Sequence, residues 1–274
     1  MATDFHCHLQ SDCYDHDLEQ VVLRAKTVGV NRFFCNATDV ADWKKTFQVA
    51  ERFSEIVPCF GIHPVYVDNN LPEDWPEQLR NILREADERF QQKTPIGEVG
   101  LDHYVSPRSD ALQEQVFRKQ LQIAREECRA VMLHTRYSLD RVVAILREEQ
   151  PIPVSLFHGF SGPLERVSQI VHLNGYFSFS ANLLKSNHKK TRNAAAALPL
   201  ERILLESDAP DMPPPPERTP TDWPRNGSPR NEPSILPEIQ KELADICEVS
   251  LDKLKNILDT NKLKFQENSN FRRQ

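Results

Sequence analysis

The stretch Asp4-Phe5-His6-Cys7-His8 sets two imidazoles two residues apart near the start of the chain. On a β-strand, side chains alternate between faces, so His6 and His8 point one way and Cys7 the other. Roughly 7 Å of strand rise separates them, and both can grip one metal ion. The plain alternative is one exposed and one buried histidine near a frayed terminus. Further on, Glu98 interrupts the apolar run Ile96-Gly97-Glu98-Val99-Gly100-Leu101. A carboxylate buried there without a partner would cost on the order of several kcal/mol. A bound cation removes that cost; so would an arginine, or an edge position facing water.

His134 follows an apolar run in Leu133-His134-Thr135-Arg136, His158 follows another in Phe157-His158-Gly159-Phe160, and Asp208 stands in Glu206-Ser207-Asp208-Ala209-Pro210. Either histidine alone reads as an ordinary polar core residue. Together with His6, His8 and Glu98, these residues form a ligand inventory that is hard to assemble by accident. Imidazole and carboxylate suit zinc, manganese or iron, and magnesium prefers more oxygen. Six ligands exceed one tetrahedral site, which points to two divalent ions with Glu98 between them. Zinc, manganese or magnesium are the expected identities. Two ions about 3.5–4 Å apart activate water and polarise the bond under attack, so the chemistry is hydrolysis. Asp208 is the candidate to take the water's proton.

Three further residues are candidates on the substrate side. His63, in Gly61-Ile62-His63-Pro64, could meet a phosphate or donate a proton to a leaving group, or simply cap its loop. Arg136 could clasp a phosphate with its planar fork, or pair with a nearby carboxylate. Asp102 could orient a ligating histidine or cap a loop, and His103 beside it is a candidate substrate contact.

Such residues need a scaffold that delivers them to one place. Short apolar runs alternate with amphipathic stretches along the chain. The expected strands are 3–8, 32–36, 57–62, 96–101, 130–134, 154–158, 175–180 and 203–207. Helical periodicity is expected over 18–28, 40–53, 75–90, 111–128, 139–146, 164–171, 188–198, 235–247 and 251–263. Eight strand–helix repeats in 274 residues predict an α/β fold, a (β/α)8 TIM barrel forming a single domain over 1–274. An open doubly wound sheet is the alternative, but no Gly-rich phosphate loop accompanies it. The candidate residues fall at the C-terminal strand ends, where barrel enzymes build their sites. Residues 210–237 hold 10 of the 20 prolines. That segment is expected to be an ordered or semi-rigid loop that walls the cleft, or a linker to the last helices.

Composition narrows the function. The net charge is −6, which speaks against a module holding duplex DNA by a broad basic footprint but not against an enzyme with local cations. No apolar stretch reaches membrane-span length, and no secretory signal is visible. The six cysteines form no C-x-x-C pair and read as reduced, mostly buried thiols of a cytoplasmic protein. No membrane partner is expected, and a monomer is compatible with the sequence.

The motifs Phe5-His6-Cys7-His8-Leu9, Gly61-Ile62-His63-Pro64, Gly97-Glu98-Val99-Gly100-Leu101-Asp102, His134-Thr135-Arg136, Phe157-His158-Gly159-Phe160-Ser161-Gly162 and Glu206-Ser207-Asp208-Ala209-Pro210 resemble, in order, those of the TatD-related metal-dependent hydrolases. Arg230-Asn231-Glu232-Pro233 and Thr260-Asn261 match that family's C-terminal pattern. The resemblance implies a TIM barrel of the amidohydrolase superfamily with a two-metal centre. It assigns His6, His8 and Asp208 to one ion, His134 and His158 to the other, and Glu98 as the bridge. It also implies a deoxyribonuclease, including 3′-to-5′ exonuclease action, with single-stranded DNA or 3′ ends as substrate. A small-molecule amidohydrolase or phosphoesterase is the alternative. A non-catalytic metal-binding scaffold is the third reading, against which the intact ligand set speaks. The chain departs from the pattern at His103-Tyr104, at Gly159 and in its proline-dense loop, all outside the ligand set.

Overall fold

The strand-forming runs carry apolar residues on both faces, as buried parallel strands do. The computed structural model describes residues 2–151, 154–224 and 230–269. Its strands are β1 (Ala2–Cys7), β2 (Val30–Asn36), β3 (Ile56–Cys59), β4 (Ile96–Asp102), β5 (Val131–Arg136), β6 (Ser155–Phe157), β7 (Gly175–Phe179) and β8 (Ile203–Leu205). The helices are α1 (Leu18–Thr27), α2 (Trp43–Arg52), α3 (Trp75–Phe90), α4 (Asp110–Glu127), α5 (Leu139–Glu148), α6 (Val167–His172), α7 (Lys189–Ala197), α8 (Leu236–Ile246) and α9 (Leu251–Ser269).

All pairings are parallel, in the orders β1-β2-β3 and β4-β5-β6-β7-β8. Backbone hydrogen bonds bridge the two gaps. Gly97 N donates to Phe60 O (3.1 Å) where β3 meets β4, and Asp208 N donates to His6 O (2.9 Å) where β8 meets β1. The result is the (β/α)8 barrel that the alternating pattern predicts. Inside it Phe5, Phe34, Val57, Met132, Leu156, Tyr176 and Leu204 form a cluster drawn from seven strands. Phe265 of α9 closes that cluster, edge-on to Phe5 at 5.6 Å and to Tyr176 at 5.4 Å. Asn261 on the same helix donates to Leu200 O and Ile203 O (2.7 and 2.8 Å), which ties α9 to the start of β8. Outside the barrel, each helix buries one stripe; α1 turns in Leu18, Val21, Val22 and Ala25, at helical spacing.

Some element bounds differ from expectation. β3, β6 and β8 end earlier than their apolar runs, because the chain leaves the ladder to present His63, His158 and Asp208. Helix α2 begins at Trp43 rather than Val40: the Asp42 carboxylate accepts from Thr38 N and Thr38 Oγ1, and this turn occupies the preceding residues. The expected helix 164–171 splits into a 3-10 turn, Leu164–Arg166, and α6. Of the cysteines, Cys7, Cys35 and Cys59 are buried, Cys128 and Cys247 half-buried and Cys13 exposed, so the thiols are less buried than their apolar neighbours imply.

The proline-rich loop is pinned at several points. Asn231 N donates to Pro210 O (2.9 Å), Trp223 Nε1 to Ser234 Oγ (2.7 Å), and Arg218 pairs with Glu238 and Glu242 on α8. Arg24 of α1 makes a bidentate pair with the buried Glu232. Met212 reaches the cleft beside Asn182. The described parts therefore match the ordered-loop expectation; 225–229 lie outside the described residues.

Candidate metal centre

Glu98 is the hub of the site. The backbone carrying it admits only glycine just before it and two residues after it: a Cβ on Gly97 would meet Met132 Cβ at 2.5 Å, and one on Gly100 would meet His134 O at 2.1 Å. Glu98 is 2% exposed, and its two oxygens divide the histidines between them. Oε2 stands 3.2 Å from His6 Nε2 and 3.4 Å from His8 Nε2. Oε1 stands 2.7 Å from His158 Nε2, 2.8 Å from His134 Nδ1 and 3.3 Å from His63 Nε2. Asp208 Oδ1 completes the first side, 3.6 Å from His8 Nε2 and 3.9 Å from His6 Nε2. Neither the arginine partner nor the water-facing edge that could have satisfied Glu98 is present among the described residues.

Neighbours fix which ring nitrogen faces inward. His8 Nδ1 meets Asn36 O at 2.8 Å; a carbonyl only accepts, so Nδ1 carries a proton and, in the neutral ring, the Nε2 lone pair faces the centre. His134 Nε2 meets Asp102 Oδ2 at 3.1 Å, which leaves Nδ1 to the centre in the neutral ring. His63 is the reverse. Its Nδ1 accepts from Val65 N at 3.1 Å and caps the turn Pro64–Tyr66, so its inward Nε2 carries the proton. The capping role and the inward-facing role coexist in one side chain. Asp102 likewise serves both expected roles, because its Oδ1 accepts from Tyr104 N (2.7 Å) and Val105 N (3.0 Å).

The protonation pattern follows from this crowding. Burial opposes charge on Glu98, but His63, His158 and His6 and the His134 hydrogen bond hold it well below the ordinary carboxylate range. Burial also opposes charge on His8, yet the Asp208 hydrogen bond and the Glu98 charge push it up to about 10. His158 reaches about 10 in the same way, through Glu98. Burial lowers His6 to about 4, with the His158 charge adding to the effect. For Asp208, burial is outweighed by the His8 hydrogen bond and the His158 and His6 charges, which lower it.

These residues fit a cation. In the neutral rings, the inward lone pairs of His8 and His134 face carboxylate oxygens, and His158 Nε2 lies 3.3 Å from His134 Nδ1. Lone pairs facing each other repel unless a proton or a metal ion stands between them. The donor atoms fall into three groups, His6–His8–Asp208, His6–Glu98–His158 and His63–Glu98–His134, with donors in each within 4.8 Å of one another.

Two acids escaped the sequence reading. Asp4 accepts from Ser207 N (2.9 Å) and His6 N (3.3 Å), and burial pushes it up to about 7. Glu206 accepts from Gly159 N (2.6 Å) and lies 3.9 Å from His158 Nδ1; burial raises it to about 8. The available signal was strand alternation, which sets Asp4 on the face of His6 and His8, and Glu206 on that of Asp208. Arg136 forms no ion pair among the described residues; its guanidinium lies 3.8 Å from the centroid of the Tyr104 ring. His103, whose backbone N donates to Arg136 O (2.9 Å), lines the same groove as Arg136. No helix among the described residues is long and apolar enough to cross a membrane.

The family described as TatD related DNase matches residues 3–266. The uncharacterized metal-dependent hydrolase YabD of Bacillus subtilis is 30% identical, covering 95% of this chain and 97% of its own. A Klebsiella pneumoniae protein described as the 3′-5′ ssDNA/RNA exonuclease TatD is also 30% identical, covering 88% of each. The crystal structure of YjjV, a TatD homolog of Escherichia coli, superposes with a TM-score of 0.84 at 26% identity, covering 97% of this chain and 98% of that one.

Proposed function

The chain belongs to the TatD-related DNase family, as a metal-dependent hydrolase acting on ester bonds, and from that premise we propose that it cleaves DNA phosphodiester bonds, releasing nucleotides from single-stranded 3′ ends. The observation that carries the reading is the divided Glu98 carboxylate, Oε2 toward His6 and His8 and Oε1 toward His134 and His158. In this reading His6, His8, Asp208 and Glu98 hold one divalent ion, and Glu98, His134 and His158 hold a second. Zinc, manganese and magnesium are the candidate identities. When bound, the pair of cations supplies the positive charge that offsets charge developing on the phosphoryl oxygens.

The chain's own groups do the rest. Asp208, held ionised by its histidines, accepts the proton of the attacking water. The Arg136 fork, paired with no carboxylate among the described residues, takes the phosphate. His63 offers its Nε2 proton to the substrate, because Val65 N occupies its Nδ1. His103 lines the approach. Asp4, Asp102 and Glu206 hold the ligands in place from behind.

The deciding experiment is metal content by mass spectrometry together with nucleotide release from 3′-ended single-stranded DNA under added magnesium, manganese or zinc. About two ions per chain with nucleotide release is the expected result. Two ions without release would redirect the search to small-molecule esters and amides, a reading the net charge of −6 favours. Glu98→Gln and Asp208→Ala should lower turnover by roughly 100- to 1000-fold or more in a folded protein. Undiminished metal-dependent turnover in either variant would sink the assignment.

A further inference from the structure

Asp102 pairs with Arg136 across β4 and β5, so the loops leaving these strands start side by side. Tyr104, two residues past β4, and Tyr137, directly past β5, stack with centroids 5.7 Å apart and planes 25° from parallel. Both are open to solvent, at 60% and 78% exposure. The Arg136 guanidinium lies over the Tyr104 ring, 3.8 Å from its centroid, and the two rings cover each other only in part, so the apolar face left in water is chiefly that of Tyr137. Tyr137 holds a φ of 55°, a region disfavoured for a bulky side chain, so its outward position is kept against local preference. The loop is also tied to the centre, because the Asp102 carboxylate accepts from Tyr104 N and faces His134 Nε2 with its other oxygen.

Tyr137 lines a groove of about 680 Å³ that His134, His158, Arg136 and Lys190 also line, and Tyr104, outside that lining, reaches it by stacking on Tyr137. Neither Arg136 nor Lys190 forms an ion pair among the described residues, whereas Arg141, on the same groove, is held by Glu114. Exposed rings beside unpaired cations, continuous with a phosphate-cleaving site, match the chemistry of one ligand: a strand whose bases are free to stack and whose phosphates need neutralising.

We infer that Tyr104 and Tyr137 form a stacking platform for an unpaired base of single-stranded DNA, with Arg136 and Lys190 meeting the adjoining phosphates. The inference rests on the nuclease reading and sharpens it. Every base offers a π face, so the platform is tolerant of sequence, but a base already stacked within a duplex cannot use it. The preference for single strands is thereby built into the two loops.

The test uses metal-loaded protein and a short single-stranded oligonucleotide with phosphorothioate links, which resists cleavage, carrying 2-aminopurine at successive positions. Wild-type protein should bind it more tightly than the matching duplex and quench 2-aminopurine at one position. Tyr104→Ala and Tyr137→Ala should each weaken binding roughly tenfold and abolish that quenching, while Tyr104→Phe and Tyr137→Phe keep both. Because both rings are exposed, unchanged melting temperatures should accompany the losses. Alanine variants that bind and quench like a wild type active on DNA would overturn the platform and leave the nuclease reading standing. A wild type that neither binds nor cleaves the strand would overturn that reading, and the platform with it.

Discussion

At the scale of single residues, burial among carboxylates leaves protons on the imidazoles proposed to hold cations. His8 and His158 are both pushed up to about 10, against burial, chiefly by Asp208 and Glu98 respectively. An imidazole must lose its inward proton before its lone pair can bind a metal. Metal uptake at pH 7 should therefore release protons, and affinity should climb as pH rises toward about 10. Calorimetry in buffers of different ionisation enthalpy measures that release directly. Stability follows the same linkage. An imidazole raised from 6.5 to about 10 on folding stabilises fully below pH 6.5 and loses that contribution as pH rises toward 10. Chelated protein should accordingly melt at lower temperature as pH rises from 6.5 to 10. Metal-loaded protein, in which cations replace the protons, should hold its melting temperature; parallel slopes with and without chelator would contradict this account.

At the scale of elements, the site depends on strands that stop early and on one helix at the opposite end of the barrel. β3, β6 and β8 leave their ladders one to four residues before His63, His158 and Asp208, and Asp208 adopts a φ of 57° in the left-handed region that aspartate tolerates. At the far end Phe265 of α9, fully buried, seals the interior against Phe5 and Tyr176. Phe265→Ala should destabilise the protein by about 3–5 kcal/mol, read as a lowered denaturation midpoint. Because Phe265 packs away from the ligands, bound metal per folded chain should stay at the wild-type level. A midpoint within error of wild type would mean that α9 does not close the barrel.

At the scale of the whole molecule, a net charge of −6 has to be reconciled with the polyanionic substrate proposed for it. Much of the surface cation is already committed: Arg80 to Glu126 and Glu127, Arg118 to Glu148 and Glu149, Arg141 to Glu114. In the groove, Arg136 and Lys190 form no ion pair among the described residues, and Arg136 lies over the Tyr104 ring. Each phosphate neutralised on a single strand adds roughly −0.7 to the slope of log affinity against log salt. Two or three contacts predict a slope of about −1.4 to −2.1, measured by titrating the oligonucleotide across salt concentrations. A slope steeper than about −4 would reveal a broad basic footprint that this charge distribution does not contain.

The sequence by itself determined the repeat and the types and order of the candidate ligands. Eight apolar runs spaced by amphipathic stretches fixed the barrel, because both periodicities are local properties of the chain. His6, His8, Glu98, His134, His158 and Asp208 were legible because polar residues at the ends of apolar strands are costly without a purpose. Only the tertiary structure decided how they share the centre. That Glu98 turns one oxygen to each set of histidines depends on barrel closure, which joins residues as distant as His6 and Asp208. The same holds for the tautomers: His8 meets Asn36 O, His63 meets Val65 N and His134 meets Asp102, and only such partners distinguish a lone pair from a proton. The alternative partner expected for Arg136, a carboxylate, proved to be an aromatic ring. Sequence spacing carries no record of which loops leave neighbouring strands together, so the Tyr104–Tyr137 pair existed only once β4 and β5 had paired.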